Sequence, residues 1–425
     1  MTAANVAIIA GLVFVWGALS ARLERFDMTA PIVFTAAGVL LTHGPLARPE
    51  AAPGNEAVKL LAELTLVLVL FSDASRVGLH HLKDDMGLCA RLLGIGLLFT
   101  IGLGTLLALA LPGMTGIWLA LLVGAALAPT DAALGAAMMV NPAVPARIRR
   151  LINVESGLND GIATPFVLLA IAGAGTAEHA DRGVGTALGE LALGLLIGIA
   201  VGGGGGLLVK ACRSRGWVAQ GFAGAAVLGL ALCAYAASVA LHGNGFIAAF
   251  VGGLAFAAGA GPAVGMVPFV EETGTLLSLL AWLMFGMVAV VPALAGLTWQ
   301  VVLYALASLT VLRMLPVAIA LAGSGLGRPT VLFVGWFGPR GLASVVFGLL
   351  ATEDLAGPVA EPAVTVIAFT VLLSVFAHGL SATPLAERYG PRLARPGDAD
   401  GPPDLTDVPE RRLIRRHRRI GRPWV

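Results

Sequence analysis

Long apolar runs constrain the fold of this chain more than any other feature. A helix needs about 20 mainly apolar residues to cross a bilayer, and thirteen such runs follow one another with short polar connections. They lie at 4–21, 28–43, 55–73, 90–112, 115–140, 150–174, 187–210, 219–241, 244–261, 273–296, 298–322, 328–350 and 362–384. Only 12% of the residues are charged, whereas a soluble domain carries about 25%. The sequence therefore predicts an all-α polytopic membrane protein with thirteen transmembrane helices.

The basic residues between the runs predict the orientation in the membrane, because cytoplasmic loops carry an excess of Lys and Arg. Alternate loops differ in this respect, with only Arg48, Lys59 and Arg182 on the poorer side. The richer side carries Arg22, Arg25, Arg76, Lys83, Arg91, Arg147, Arg149, Arg150, Lys210, Arg213, Arg215 and Arg328. The pattern predicts an outside N-terminus and a cytoplasmic C-terminus. It also predicts a basic tail over 386–425 that is disordered or lies on anionic lipid.

Other compositional features exclude further classes of protein. The chain has 27 Lys and Arg against 25 Asp and Glu, and this near-balance argues against nucleic acid as the main partner. Its 3 cysteines are far apart, so they predict neither a disulfide framework nor a metal site. No basic region precedes the first apolar run, which predicts a retained helix rather than a signal peptide. The run Gly202 to Gly206 lies within an apolar segment and predicts close helix packing.

Ionisable residues at membrane depth mark the expected functional site. A charged side chain at the centre of a membrane helix costs about 2.5–3.5 kcal/mol by insertion scales, so its presence there indicates a function. In the sixth run, ESGLNDG places Ser156 and Asp160 on one helical face, and Glu155 and Asn159 on the neighbouring face. The first face offers a hydroxyl and a carboxylate to an ion. Glu155 is predicted to pair with a buried arginine instead.

Two runs are interrupted by proline, at Pro129 to Asp131 in the fifth and at Gly338 to Gly341 in the twelfth. Because proline lacks a backbone donor and disrupts a helix interior, we predict that both helices unwind where they meet. Each break lies in the fifth helix of a six-helix unit of opposite orientation, which predicts an inverted repeat with a site near the membrane midplane. We expect Asp131 to balance exposed helix N-termini, and Arg340 to balance exposed C-termini.

The motifs LAPTDA, ESGLNDG, HGNGFIAAFVGGL, RMLPV, GPRGLAS and FAHGLSATPLAERYG occur in this order. Their combination resembles the monovalent cation:proton antiporter superfamily, in particular its NhaP-like sodium/proton antiporters, over about residues 4–390. The resemblance implies the NhaA/NhaP-like fold with two crossed unwound helices, a homodimer in a prokaryotic inner membrane, and elevator-type alternating access. It also implies a transporter domain over 1–385, divided into a core bundle of helices 4–6 and 11–13 and a dimerisation domain of helices 1–3 and 7–10.

The resemblance assigns roles to individual residues as well. It implies that Asp160 carries either the cation or the proton, with Asn159 as its neighbour in the family's Asn-Asp pair. Further residues implied near the ion are Asp73, the Thr130 carbonyl group, the Asp131 side chain and Ser156. The buried ion pair of the family corresponds to Glu155 and Arg313.

Competition for one carboxylate would couple the two ions. Na⁺ and Li⁺ are hard cations that favour oxygen ligands, and burial disfavours a charged carboxylate. A proton and a cation then compete for Asp160, and a carrier that crosses only when neutralised exchanges one for the other. With asparagine rather than a second acid at position 159, one cation exchanges for one proton, which predicts electroneutral transport. No cofactor is expected besides the transported ions.

Three alternatives remain at the level of sequence. The first is a K⁺/H⁺ antiporter of the same fold, since selectivity depends on fine geometry. The second is an intramembrane aspartyl protease that uses Asp131 and Asp160, but GLND differs from the GxGD motif of such enzymes. The third is a channel, which needs a continuous polar pore, whereas the membrane charges cluster around one site. We therefore predict a transporter rather than an enzyme.

Overall fold

The structure is a computed structural model, and the part of the chain that it describes is helical. It describes residues 3–26, 28–43, 54–76, 86–139, 141, 144–175, 180–261, 266–355 and 357–393. Of the predicted features, Arg48, Lys83 and the tail from residue 394 onward lie outside these ranges.

The α-helices of the described residues follow one another along the chain. They are α1 (Ala3–Leu23), α2 (Ala30–His43), α3 (Asn55–Ser75), α4 (Met86–Arg91), α5 (Leu97–Ala108), α6 (Ile117–Ala126), α7 (Ala136–Met139), α8 (Ala146–Gly175), α9 (Ala180–Ser214), α10 (Gln220–Ala240), α11 (Gly245–Ala260), α12 (Pro268–Val288), α13 (Val290–Ala295), α14 (Trp299–Leu309), α15 (Val311–Ala320), α16 (Arg328–Trp336), α17 (Leu342–Asp354) and α18 (Gly357–Leu393). A π-helical segment, Leu92–Gly96, joins α4 to α5, and 3₁₀ turns occur at Glu24–Phe26 and Ala132–Gly135.

Each predicted apolar run coincides with one helix or with consecutive helical segments. Eight helical stretches of the described residues are long and apolar enough to cross a membrane, among them Met86–Ala108, which joins α4 and α5, and Trp299–Ala320, which joins α14 and α15. Shorter apolar helices are α2, α6 and α11. The number of thirteen membrane crossings therefore stays a prediction. The all-helical architecture follows from the length and spacing of the runs.

Both predicted proline breaks are present. The chain leaves the helical conformation after α6 at 127–131 and after α16 at 337–341. The structure adds a break that the sequence does not predict, because Thr310 separates α14 from α15 with backbone angles φ −114° and ψ −91°. The eleventh run thus consists of two short helices rather than one.

The tail is predicted to begin at residue 386 and to be disordered, but its first residues are helical, because α18 continues to Leu393. Tyr389 is buried, and its ring stacks on Phe333 with the centroids 4.1 Å apart. The Tyr389 hydroxyl is 2.8 Å from that of Thr330. These contacts hold the last turns of α18 against α16.

Two sets of helices pack mainly among themselves. In the first set, α11 lies against α9, α3 and α10, while α12 packs on α2 and α3. In the second set, α6 packs on α5 and α8, α14 and α17 pack on α18, and α15 packs on α16. The sets meet at several contacts, among them those of α3 with α8 and α17 and of α9 with α8. This arrangement brings α8, with its predicted ion-binding residues, to the boundary between the two sets.

Glycine allows direct backbone contact between α9 and α11. Gly194, Gly198, Gly202 and Gly206 recur every four residues and therefore share one face of α9. A Cβ atom at Gly202 would overlap the carbonyl oxygen of Gly252, and one at Gly206 would lie 2.8 Å from the Phe256 carbonyl oxygen. We call these four glycines and the face of α11 that they contact the glycine seam. The close packing predicted for this glycine-rich run is present.

Candidate ion-binding site

The two unwound segments touch through their backbones. The Asp131 N–H group donates a hydrogen bond of 2.8 Å to the carbonyl oxygen of Pro339. Residues outside a helix lack the regular backbone partners, and inside a membrane those polar groups need others. We call residues 127–131 and 337–341 together the crossing.

The carboxylate of Asp131 lies at the N-terminus of α17. Its Oδ2 accepts a hydrogen bond of 3.3 Å from the Leu342 N–H group, and its Oδ1 accepts one of 2.9 Å from Ala133. A Cβ atom at Gly341 would overlap this carboxylate, so only glycine leaves the space. Because the N-terminus of a helix is partly positive, the negative charge of Asp131 is stabilised there.

The guanidinium group of Arg340 is held by backbone carbonyl groups. Arg340 is fully buried and donates hydrogen bonds to the carbonyl oxygens of Ala128 at 2.9 Å and of Ser308 at 3.0 Å. Ala128 follows the C-terminus of α6, and Ser308 lies in the last turn of α14. The final carbonyl groups of a helix lack helical donors and are partly negative. Arg340 therefore supplies positive charge to two helix C-termini.

Glu155 and Arg313 form a buried ion pair. The two terminal nitrogens of Arg313 donate to the two carboxylate oxygens of Glu155 over 2.6 and 2.9 Å. The exposed fractions of the two side chains are only 3% and 1%. The Arg313 side chain also lies so close to Gly338 that a Cβ atom there would overlap it. The pair thus connects α8 and α15 with the second unwound segment.

Side chains of α8 hold the first unwound segment. The Ser156 hydroxyl donates to the Thr130 carbonyl oxygen and accepts from the Ala132 N–H group, both over 2.8 Å. The side-chain amide of Asn159 donates to the Thr130 hydroxyl over 2.7 Å. These contacts bring Thr130 close to Ser156 and Asn159. In α8 these two residues precede Asp160 by four residues and by one residue.

Asp73 of α3 lies against α8 near Gly157, on the side of that helix that carries Asp160. Asp73 and Asp160 are both buried, each with 7% of its surface exposed. A Cβ atom at Gly157 would lie 3.6 Å from the Cβ atom of Asp73, and Gly157 and Asp160 are three residues apart on the same face of α8. Asp73 therefore faces the side of α8 that carries Asp160.

Two polar residues of α18, one in contact with the crossing and one with the residue before it, were not among the predicted site residues. The Ser374 hydroxyl accepts a hydrogen bond of 2.7 Å from the Arg340 N–H group. The imidazole of His378 lies between Ser374 and the Trp336 carbonyl oxygen. Histidine counts among the ionisable residues that are rare within membrane helices. Its presence in the thirteenth run, in SVFAHGL, is a signal that could have identified it.

Known proteins resemble this chain over most of its length. The model of the family described as "Sodium/hydrogen exchanger, transmembrane" matches residues 9–388. The chain is 27% identical to the K(+)/H(+) antiporter NhaP of Alkalimonas amylolytica, over 96% of this chain and 72% of that protein. It is 25% identical to the K(+)/H(+) antiporter NhaP2 of Shewanella oneidensis, over 87% of this chain and 64% of that longer protein.

The fold is also found in a solved structure. The sodium proton antiporter MjNhaP1 from Methanocaldococcus jannaschii at pH 8 superimposes with a TM-score of 0.73, covering 91% of this chain and 98% of that one. The two sequences are 18% identical. The match therefore assigns the antiporter fold to this all-helical chain.

Proposed function

This chain belongs to the sodium/hydrogen exchanger family, and on that premise we propose that it exchanges Na⁺ or Li⁺ for H⁺ across a prokaryotic cell membrane. The observation that carries the proposal is the group of oxygen atoms beside the crossing. Thr130 and Ser156 are in direct contact. The buried Asp160 follows Ser156 by four residues on the same face of α8. The buried Asp73 lies beside Gly157 of that helix. Asp131 follows Thr130 in the chain. Oxygen atoms of these kinds are the ligands that small alkali cations favour.

Each fixed charge around this site is balanced by a helix end or by an ion-pair partner, so these groups make the site polar and add little net charge to it. Asp131 and Arg340 are each stabilised by helix ends, and Glu155 is neutralised by Arg313. Asp160 is then the carboxylate that a proton or a cation neutralises in turn. A carrier that crosses only in the neutralised state exchanges one cation for one proton, and it slows at low pH, where protons outcompete the cation.

The two helix sets support a model with two domains, one of which moves relative to the other. We propose that the core bundle of helices 4–6 and 11–13 corresponds to α4–α8 and α14–α18, and moves against a dimerisation domain formed by α1–α3 and α9–α13. A homodimer and a cytoplasmic C-terminus belong to the same proposal. The position of α8 at the boundary between the two sets is compatible with such a movement, because Asp160 would pass the stationary helices.

The alternative is K⁺/H⁺ exchange at the same site. The relatives from Alkalimonas and Shewanella carry that name, whereas MjNhaP1 is named a sodium proton antiporter. Selectivity between these ions depends on the size of the oxygen cage rather than on the identity of its residues.

Transport by the purified chain in liposomes tests the proposal. Na⁺, Li⁺ and K⁺ are added in turn outside acid-loaded vesicles that contain a pH-sensitive dye, with protein-free vesicles as the control. We expect Na⁺ and Li⁺ to drive proton efflux at lower concentrations than K⁺. A preference for K⁺ would establish the alternative, and no response to any of the three ions would contradict antiport.

A further inference from the structure

Side chains of α18 bond to the backbone within the second unwound segment and at the residue before it. These bonds add to others, such as that from the Gly338 N–H group to the Trp336 carbonyl oxygen. Between α16 and α17 the chain has no helical ladder, and buried polar groups are costly unless they are bonded. The Pro339 carbonyl group is bonded to Asp131 of the other segment, and the Arg340 N–H group is bonded to Ser374 of α18. The Trp336 carbonyl group, at the end of α16, faces His378 of the same helix as Ser374. α18 therefore contacts both ends of the segment.

His378 is fully buried and has a polar partner on each side of its ring. Its Nε2 atom is 3.0 Å from the Trp336 carbonyl oxygen, and its Nδ1 atom is 3.1 Å from the Ser374 hydroxyl oxygen. The Nδ1 atom is also 3.0 Å from the carbonyl oxygen of Ser374. The imidazole lies beside the Trp336 ring with the centroids 5.0 Å apart. The side chain thus bridges the end of α16 and the interior of α18.

The neutral tautomer of the imidazole with its hydrogen on Nε2 satisfies the contacts with the Trp336 carbonyl oxygen and the Ser374 hydroxyl, and makes no hydrogen bond to the Ser374 carbonyl oxygen. A carbonyl oxygen only accepts, so the Nε2 atom must carry the hydrogen in order to bond Trp336. The Nδ1 atom is then an acceptor. The Ser374 hydroxyl already accepts from the Arg340 N–H group, and its own hydrogen remains to be donated to Nδ1. The result is a continuous chain of hydrogen bonds from Arg340 through Ser374 and His378 to Trp336.

We propose that His378 is a positioning residue for the ion-binding site, because it fixes both ends of the second unwound segment through the Trp336 carbonyl group and Ser374. This inference rests on the proposed antiport function. The segment that it fixes carries the Arg340 guanidinium group and the Pro339 carbonyl group. This Pro339 carbonyl group accepts a hydrogen bond from the N–H group of Asp131, which follows Thr130 in the chain. A shift of this segment therefore changes the geometry of the cation ligands without removing any of them.

Three substitutions separate positioning from packing. His378→Leu removes both polar contacts. His378→Gln places an amide nitrogen close to the position of Nε2 and retains a donor for Trp336, whereas His378→Asn reaches only toward Ser374. His43→Leu is the control, since His43 is exposed at the end of α2. Each variant is reconstituted with the cation that the unaltered protein transports, and the apparent KM, the maximal rate and the thermal stability in detergent are measured.

We expect His378→Leu to raise the apparent KM about tenfold, because the lost hydrogen bonds leave buried polar groups unpaired and free the segment to shift. We expect His378→Gln to restore most of the affinity, and His43→Leu to leave it unchanged. An unchanged KM in a stably folded His378→Leu protein would overturn the inference. Equal losses in the Leu and Gln variants, with equally lowered thermal stability, would also overturn it, because they would indicate packing alone.

Hydrogen exchange of the unwound segment separates failure of this inference from failure of the proposed function. Amides of residues 336–342 should exchange faster in His378→Leu than in the unaltered protein or in His378→Gln. If the unaltered protein transports none of the three cations, the proposed function is wrong, and this measurement still decides whether His378 fixes the segment. Equal exchange in all the proteins would contradict positioning.

Discussion

The crossing and the glycine seam both bring two backbones into direct contact, and they do so in opposite ways. In the seam, α9 and α11 remain intact helices, and the absence of side chains at positions such as Gly202 allows the approach. Their backbone groups are bonded within each helix. In the crossing, the helices are unwound, and the exposed backbone groups bond to each other and to side chains, as Asp131 does with Pro339 and Leu342.

The difference shows why an ion site belongs to one region and not to the other. The interior carbonyl groups of an intact helix already accept helical hydrogen bonds, so we expect close packing at the seam to contribute to stability rather than to ion binding. An unwound helix has carbonyl groups and helix ends that attract charge. The comparison therefore predicts that changes at the crossing affect transport, whereas changes at the seam affect only folding.

The largest effect is expected for Asp160→Asn. This substitution removes the carboxylate that both ions share but preserves the shape of the side chain, so exchange should be abolished in a protein that remains folded. Proton movement in vesicles and thermal unfolding in detergent measure the two properties. Asp354→Asn is a matched control, because Asp354 forms a partly exposed pair with Lys59, and such pairs contribute little. Sodium-driven proton movement well above background in Asp160→Asn would exclude Asp160 as the carrier.

A large loss of stability is expected when the buried ion pair at the crossing is broken. Glu155→Ala or Arg313→Ala leaves one buried charge without its partner, which typically costs about 3–5 kcal/mol. The free energy of unfolding in detergent measures it. The double substitution should cost less than the sum of the two single ones, because it leaves no isolated charge. Unchanged stability in both single variants would show that the pair contributes nothing to stability. The crossing would then depend less on polar partners than the comparison with the seam proposes.

A smaller and purely structural effect is expected at the seam. Gly202→Ala places a methyl group against the Gly252 carbonyl oxygen, and overpacking of this kind costs about 1–3 kcal/mol. The apparent KM for the cation should stay unchanged. Gly204→Ala is the matched control on the same helix, since a Cβ atom there has nothing within 4 Å. A changed KM in Gly202→Ala without a loss of stability would break the comparison.

The smallest effect is expected from the membrane potential. If Asp160 carries one cation or one proton, and Asp131 and Arg340 keep fixed charges, the moving unit has the same charge in both directions. Turnover should then be equal with and without a potential imposed by potassium and valinomycin. One net charge moved would be worth about 2.3 kcal/mol per 100 mV. A rate that rises steeply with voltage would indicate a second titrating group, with Asp131 or Asp73 as the first residues to test.

The sequence by itself determined the helical segments and the two breaks at proline. Apolar length and periodicity are local properties, and the membrane imposes them on each helix separately. The two proline breaks also follow from local chemistry, because proline in a helix interior removes a backbone hydrogen bond. Proline alone does not decide a break, since α8 continues through Pro165. Asp131 and Arg340 could also be matched with helix ends, since the charge of a helix end is a property of that helix alone.

Only the tertiary structure decided which groups are partners. Arg340 bonds to Ala128, 212 positions away in the sequence, and to Ser374, 34 positions away. Ser156 was expected to bind the ion, and the structure also gives it two hydrogen bonds to the backbone of the first unwound segment. The break at Thr310 likewise has no proline at its own position. Such contacts depend on how distant segments pack, and a buried polar group accepts any partner of suitable geometry, so residue type and spacing cannot select among them.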